Sequence, residues 1–409
     1  MRRNDLAAQI ARHRLHARLN GAVDALPEPP PTPTYVVDLE SFDANAADLA
    51  RRANGTPVRV ATKSLRVPAL IARALSSPGF SGALAYSLRE ALWLCEHGIG
   101  DDIVMGYPTA DLPALHRLTA SPTALRAVTL MVDDESHLDL VDLVRAPGSD
   151  PVRVAIDVDA GLRVGPARLG PRRSPLYDAA DVVGLARRIE DRDGFRLVGV
   201  MTYEGQVAGV PDQVPRRRVR SSAVRRVKSA SVGQLAARRA EIASALREVT
   251  AIEFWNAGGS GSIETSAGDP VVTEVTAGSG LLVSGLFDHY RSFAPLPAAY
   301  FGLRVVRRPS RDVATVGGGG LIASGPSGKD RAPVPWAPPG LRLTALEGAG
   351  EVQTPLSGPG ASALTIGEMV WFRHAKAGEV AEHVASAHLL SGSEIVDSVP
   401  TYRGTGNAW

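Results

Sequence analysis

Lys63 sits directly after the apolar run Val58-Arg59-Val60-Ala61-Thr62, at the end of what reads as a buried strand. A lysine in such a place, partly desolvated and close to other cations, gives up its proton readily and can condense with an aldehyde as a Schiff base. Further along lie two Gly/Ser runs, Asn256-Ala257-Gly258-Gly259-Ser260-Gly261 and Thr276-Ala277-Gly278-Ser279-Gly280. Runs of this kind present backbone N–H groups with no side chains in the way, as a phosphate requires. Arg163, in Gly161-Leu162-Arg163-Val164-Gly165, and Tyr203, in Thr202-Tyr203-Glu204-Gly205-Gln206, are candidates to hold an aromatic ring and its phenolate oxygen. Aldehyde, phosphate and ring together describe pyridoxal 5'-phosphate (PLP), which takes up negative charge from the α-carbon of an amino acid. Any one of these features is ordinary by itself. Their weight comes from falling at the ends of successive strands.

Those strand ends must therefore meet. Eight short, β-branched segments read as strands, at 58–63, 83–87, 103–107, 127–133, 152–157, 197–203, 252–256 and 271–276. The intervals between the first seven are long enough for a helix, and several segments are apolar almost throughout, as in parallel strands covered on both faces. The pattern predicts an α/β fold, a closed (β/α)8 barrel of the TIM type, whose active site lies at the C-terminal ends of the strands. Loops after the last two strands are where such barrels commonly hold phosphate. Beyond residue 293 Pro and Gly become dense and helical periodicity vanishes, which predicts an antiparallel β-domain. The expected division is 1–33 for an N-terminal helix and Pro-rich linker, 34–293 for the barrel and 294–409 for the β-domain.

Composition sets outer bounds. A formal net charge of +2 in 409 residues argues against a dedicated nucleic-acid binder and suits a small-molecule enzyme. The basic stretch 216–239 is interleaved with Val224, Val227, Val232 and Leu235, so it reads as the solvated face of a long helix. With Cys95 as its one cysteine the chain forms no internal disulfide. No stretch has the length and apolarity of a membrane span, so a soluble, cytoplasmic protein is expected. Gly317–Gly320 lacks the G-x-G-x-x-G spacing of a dinucleotide loop and reads as a turn in the β-domain.

The chain resembles the fold-type III PLP enzymes, in particular the D-threonine aldolase and D-serine dehydratase group with its amino-acid deaminases and alanine racemase-like proteins. The likeness runs from Pro33-Thr34-Tyr35 to the end. It is carried by ATKSLRVP around Lys63, by GLRVG, MTYEGQ and the two Gly loops, and by the terminal HAKAGE and TYRG segments. It implies Lys63 as the Schiff-base lysine and Arg163 and Tyr203 as ring contacts. Gly258, Gly259, Ser260, Gly278 and Ser279 are then phosphate contacts, with Asn256 and Gly261 beside them. It also implies a D-amino acid substrate and a homodimer in which the partner's β-domain closes the site.

One departure stands out. The metal-dependent members have a histidine followed two residues later by aspartate or cysteine, and here the pair is His374 and Lys376. A protonated amine has no lone pair for a metal, so no divalent ion is expected. His374 and Lys376 are left as acid/base groups or a carboxylate anchor, with a purely structural His374 as the plainer alternative. The expected chemistry is aldol cleavage or dehydration/deamination at Cα. The alternatives are an amino-acid racemase of the alanine racemase type, a non-catalytic PLP-binding homeostasis protein, and an aldolase that uses Lys63 without PLP.

Overall fold

The first element is a helix, α1 (Arg3–Asp24), which buries Leu19, Ala22 and Val23 and leaves Leu6 and Ile10 exposed. The computed structural model describes residues 3–215, 217–293 and 295–409, so Arg216, the first residue of the basic stretch, lies outside the described residues. A strand, β1 (Thr34–Asp38), follows, and the Asp38 carboxylate caps helix α2 (Leu39–Ala53) by accepting the Ser41 N–H.

The barrel begins with β2 (Val58–Ala61), β3 (Phe80–Ala85), β4 (Ile103–Met105), β5 (Val128–Val132) and β6 (Val152–Asp157). A small hairpin, β7 (Leu162–Val164) with β8 (Ala167–Leu169), stands apart, and β9 (Phe195–Thr202), β10 (Phe254–Ala257) and β11 (Glu274–Ala277) complete the ring. All pairings in it are parallel, and β11 returns to β2, so the sheet closes. The eight segments expected as strands are the eight staves. Val104, Met131, Ala155, Val198, Met201 and Phe254 fill the interior. The outward faces pack against helices such as α3 (Pro68–Leu75), opened by Pro68, and α4 (Leu88–Glu96), capped by Ser87.

Two expectations need correcting here. Lys63 is not in the strand, because β2 ends at Ala61 and Thr62–Ser64 forms one 3-10 turn. The basic stretch does form a long helix, Arg218–Leu246, yet Arg238 and Arg239 are buried beside Leu235 and Ile242 instead of solvated. Paired inward arginines and exposed ones look alike in a sequence.

The second unit contains β12 (Ala299–Ser310), β13 (Val313–Gly317), β14 (Val334–Ala337), β15 (Arg342–Leu343), β16 (Gln353–Ser357), β17 (Met369–Arg373), β18 (Ser386–Ser391) and β19 (Glu394–Pro400). The sheet runs β15-β16-β13-β12-β1-β18-β19, with β17 also on β12 and β14 on β17. Residues 34–38 therefore belong to this sheet, although their place in the chain had put them with the barrel. The physical reason is that β1 is buried on both faces: Val36 joins the cluster with Leu19, Tyr300 and Trp371, while Tyr35 and Val37 join the main core. Val36 lies opposite Tyr300 on one side and His388 on the other, and the pairing with β18 is parallel in an otherwise antiparallel sheet. Helix α1 is likewise no free appendage. Trp371 Nε1 donates to Asn20 Oδ1 at 2.7 Å, and the Arg12 guanidinium lies 3.6 Å from the Trp336 ring centre. Gly318 and Gly319, at φ 81° and 116°, make the turn that leaves β13.

Candidate active site

One cavity opens at the C-terminal ends of the barrel strands, and the strand order explains its lining: Lys63 follows β2, Tyr107 follows β4, Tyr203 follows β9, Asn256 lies one residue before the end of β10 and Gly278 follows β11. Lys63 Nζ donates to Tyr107 Oη at 2.6 Å. Arg173 enters from the coil after the hairpin, its guanidinium 5.7 Å from the Tyr107 ring centre and 5.9 Å from that of Tyr203.

The two phenols differ. Burial would raise Tyr107, but Lys63 and Arg173 outweigh it and hold the phenol below its ordinary value. Tyr203 is pushed up to about 12 by burial and then by the Glu204 carboxylate. Of the two phenols, Tyr107 is the one whose oxygen accepts from Lys63. Near Arg173, the Asp157 carboxyl is raised to about 7 by desolvation and by Asp133, with Arg173 pulling the other way.

The Gly loops are held from behind. The Gly258 N–H donates to Glu204 at 3.3 Å, that of Gly259 to Ser262 Oγ at 3.1 Å and that of Gly280 to Ser260 Oγ at 2.9 Å. The N–H groups of Ser260, Gly261, Gly278 and Ser279 meet no acceptor among the described residues. Such a set of open donors at a barrel mouth suits a phosphate. Glycine is required at 261 and 278 because a Cβ would collide with the carbonyl oxygens of Ala208 and Ala61. The buried Glu204 carboxylate also accepts from the Ser262 and Ser266 hydroxyls and from Arg239 at 3.1 Å. Arg239 reaches Asp269 at 3.1 Å as well, so a buried charge cluster fixes the first loop.

The family model described as alanine racemase, N-terminal domain, matches residues 37–284, more than half of the chain. The chain belongs to that family. The D-threonine aldolase of Arthrobacter sp is 27% identical over 321 residues, 77% of this chain and 78% of that protein. Among solved structures, D-threonine aldolase from Filomicrobium marinum aligns with a TM-score of 0.76 at 22% identity, over 91% of this chain and 95% of that one. D-threo-3-hydroxyaspartate dehydratase from Delftia sp. HT23 aligns with a TM-score of 0.67 at 20% identity, over 91% and 97%. At these identities the structures share the fold.

In this alanine racemase-family barrel, Lys63, Tyr203, Asn256, Gly258, Gly259, Ser260, Gly278 and Ser279 line one cavity, with Gly261 just outside it against Ala208. Arg163 is not brought there. It lies on β7 with its guanidinium 3.3 Å from the Tyr177 ring centre, and its backbone is tied to Gln234. The arginine in the cavity is Arg173, which the sequence reading missed because its coil has neither period nor motif. Tyr107 was within reach, as the last residue of a strand expected at 103–107. His374 and Lys376 lie in a second cavity with Ser324 and Glu379. His374 is pushed down to about 3 by burial and then by Arg373, and neither ring nitrogen has a partner among the described residues. Lys376 Nζ donates to Ser324 Oγ at 2.5 Å and lies 3.6 Å from Glu379. Among the described residues no group of three or more His, Cys, Asp or Glu side chains is arranged to hold a metal ion.

Proposed function

We propose that this protein is a PLP-dependent enzyme acting at the α-carbon of a D-amino acid, as a lyase of the aldolase or dehydratase/deaminase kind. The observation that carries the reading is Lys63 Nζ in one cavity with two loops whose N–H groups are open among the described residues. When bound, PLP supplies an electron sink for charge at Cα. Lys63 would hold its aldehyde, the N–H groups of Ser260, Gly261, Gly278 and Ser279 its phosphate, and Tyr203 would flank the ring. Lys63 Nζ is the base for one face of Cα, and Tyr107 Oη, 2.6 Å away, is its proton partner. Arg173 supplies the fixed positive charge formerly expected of Arg163, and suits the substrate carboxylate or the ring oxygen.

The D-configuration and the lyase chemistry draw support from the Arthrobacter sp aldolase, the relative with the higher sequence identity. The racemase alternative draws on the family model. It uses the same residues and differs in returning a proton to Cα. We further propose that the enzyme needs no divalent ion, since Lys376 stands where a second ligand would be required. We also propose a homodimer whose partner covers the mouth of the cavity, which is lined by residues 61–279. We place the enzyme in the cytoplasm; no helix among the described residues is long and apolar enough to cross a membrane.

Titration of the purified protein with PLP tests the reading. A band near ~410–430 nm is expected for wild type and absent for Lys63→Ala. D-threonine should perturb that band and yield a cleavage or dehydration product, whereas a PLP carrier would leave the α-proton unexchanged in deuterium oxide. Dialysis against EDTA should leave turnover unchanged. A wild type that takes up no PLP would end the proposal.

A further inference from the structure

The turn that bears Lys63 has little to hold it in place by itself. Thr62–Ser64 is a single 3-10 turn, and Arg66 follows at φ 55°, a left-handed conformation that side-chain-bearing residues seldom adopt. What surrounds the turn therefore decides where Nζ sits.

Much of that surrounding comes from beyond residue 370. The Tyr402 N–H donates to the Arg66 carbonyl at 3.0 Å. Arg66 in turn donates Nε to the Lys63 carbonyl at 3.0 Å and pairs with Glu382 at 2.6 Å, and Glu382 also pairs with Arg403 at 2.5 Å. Gly378 packs on the Lys63 carbonyl so closely that a Cβ there would collide with it. On the other side lies Glu90 of α4, fully buried. It accepts the Tyr402 hydroxyl at 2.6 Å and the Tyr86 N–H at 2.7 Å, while the Thr62 hydroxyl donates to the Leu84 carbonyl at 3.1 Å. The Tyr402 ring is fixed between Trp93 and Trp409, with centres 5.8 and 5.4 Å away.

A carboxyl is a costly filler for an apolar pocket, since burial without full compensation is penalised. An apolar side chain would cover the same area at less cost. The Glu90 carboxylate instead holds Tyr402, which holds Arg66, and Arg66 holds the Lys63 carbonyl. We propose that Glu90, Tyr402 and Glu382 are positioning residues for Lys63, so that residues 401–409 set the placement of the reactive amine without touching the cavity. The proposal rests on Lys63 being that amine. Glu382 and Tyr402 both lie outside the residues matched by the family model.

The test reads Lys63 itself, in the full chain. The apoprotein is labelled with acetic anhydride and followed by peptide mass spectrometry, with Lys228 and Lys329 as internal references. In Tyr402→Phe, labelling of Lys63 should quicken about threefold or more while the references hold, as expected for local loosening. PLP, once supplied, should leave that variant several-fold faster than wild type. Glu90→Gln keeps the shape and a hydrogen-bonding side chain, so it should stay within about twofold of wild type. Glu382→Gln, on partly exposed surface, provides a second loosened variant should Tyr402→Phe fold poorly, which thermal melts of the apoproteins would reveal. Unchanged Lys63 labelling in the folded variants would overturn the proposal and leave Tyr402 as packing. A wild type without affinity for PLP would end the functional reading yet leave the labelling comparison decisive.

Discussion

Tyr107 and Tyr203 face the same cavity, yet one phenol is held below its ordinary value and the other above it, because cations outweigh burial only at Tyr107. The arginine responsible is Arg173, which gives the residue scale its prediction. Arg173→Ala should lower kcat/KM by about tenfold or more, the loss of one charged contact at the cavity. Arg163→Ala, whose guanidinium covers Tyr177, should cost less than about tenfold. Steady-state kinetics with the responsive D-amino acid compare the two, and a larger loss at Arg163 would reverse the assignment. Lys63 was legible because a charge at the end of an apolar run has few structural uses. Arg163 misled because Gly161 to Gly165 looks like a strand-end loop, whereas it folds into its own hairpin and turns the side chain to Tyr177.

At the scale of elements, the barrel strands were legible because parallel strands buried on both faces are written as unbroken β-branched runs. The device that fixes the first Gly loop was not. Glu204 is adjacent to a candidate residue, and Arg239 sits 35 residues away in a stretch of charge that resembles solvated helix. Glu204→Gln should leave Arg239 partly uncompensated in the core, at a cost of about 3 kcal/mol in unfolding free energy. It should also loosen the Gly258 N–H and weaken PLP binding about tenfold. Urea unfolding and a PLP titration measure the two effects separately. A loss of stability with undiminished affinity would mean that the charge cluster supports the fold but not the loop.

Over the whole molecule, stability should carry the signature of Glu90. Burial raises this carboxyl from 4.5 to about 7 against the opposing hydrogen bonds. The folded protein thus holds the proton more tightly than the unfolded chain does. The associated stability is complete below pH 4.5, is lost as pH rises to 7 and changes no further above that. The difference amounts to about 3 kcal/mol. Wild type should therefore lose about that much more than Glu90→Gln between pH 4.5 and 7.5, in urea unfolding at both values. Asp157 acts in the same direction in both proteins, so the difference between them isolates Glu90. Equal pH slopes would refute the assignment. The division of the chain was legible only roughly at this scale, since nothing in Thr34–Asp38 tells which sheet will take it up.

That crossing has a consequence for how the protein is made. β1 leaves the ribosome long before its neighbour β18: Glu40 and Ser391, which hydrogen-bond beside this pair, are 351 residues apart. Until β18 has been made, Tyr35-Val36-Val37 travels as an apolar strand with one edge bare, the kind of edge that recruits other chains. Contacts so distant in the chain also form slowly. The β-domain thus completes only once β18 has been made, and a chain cut short before residue 386 keeps that edge open however well its barrel has folded.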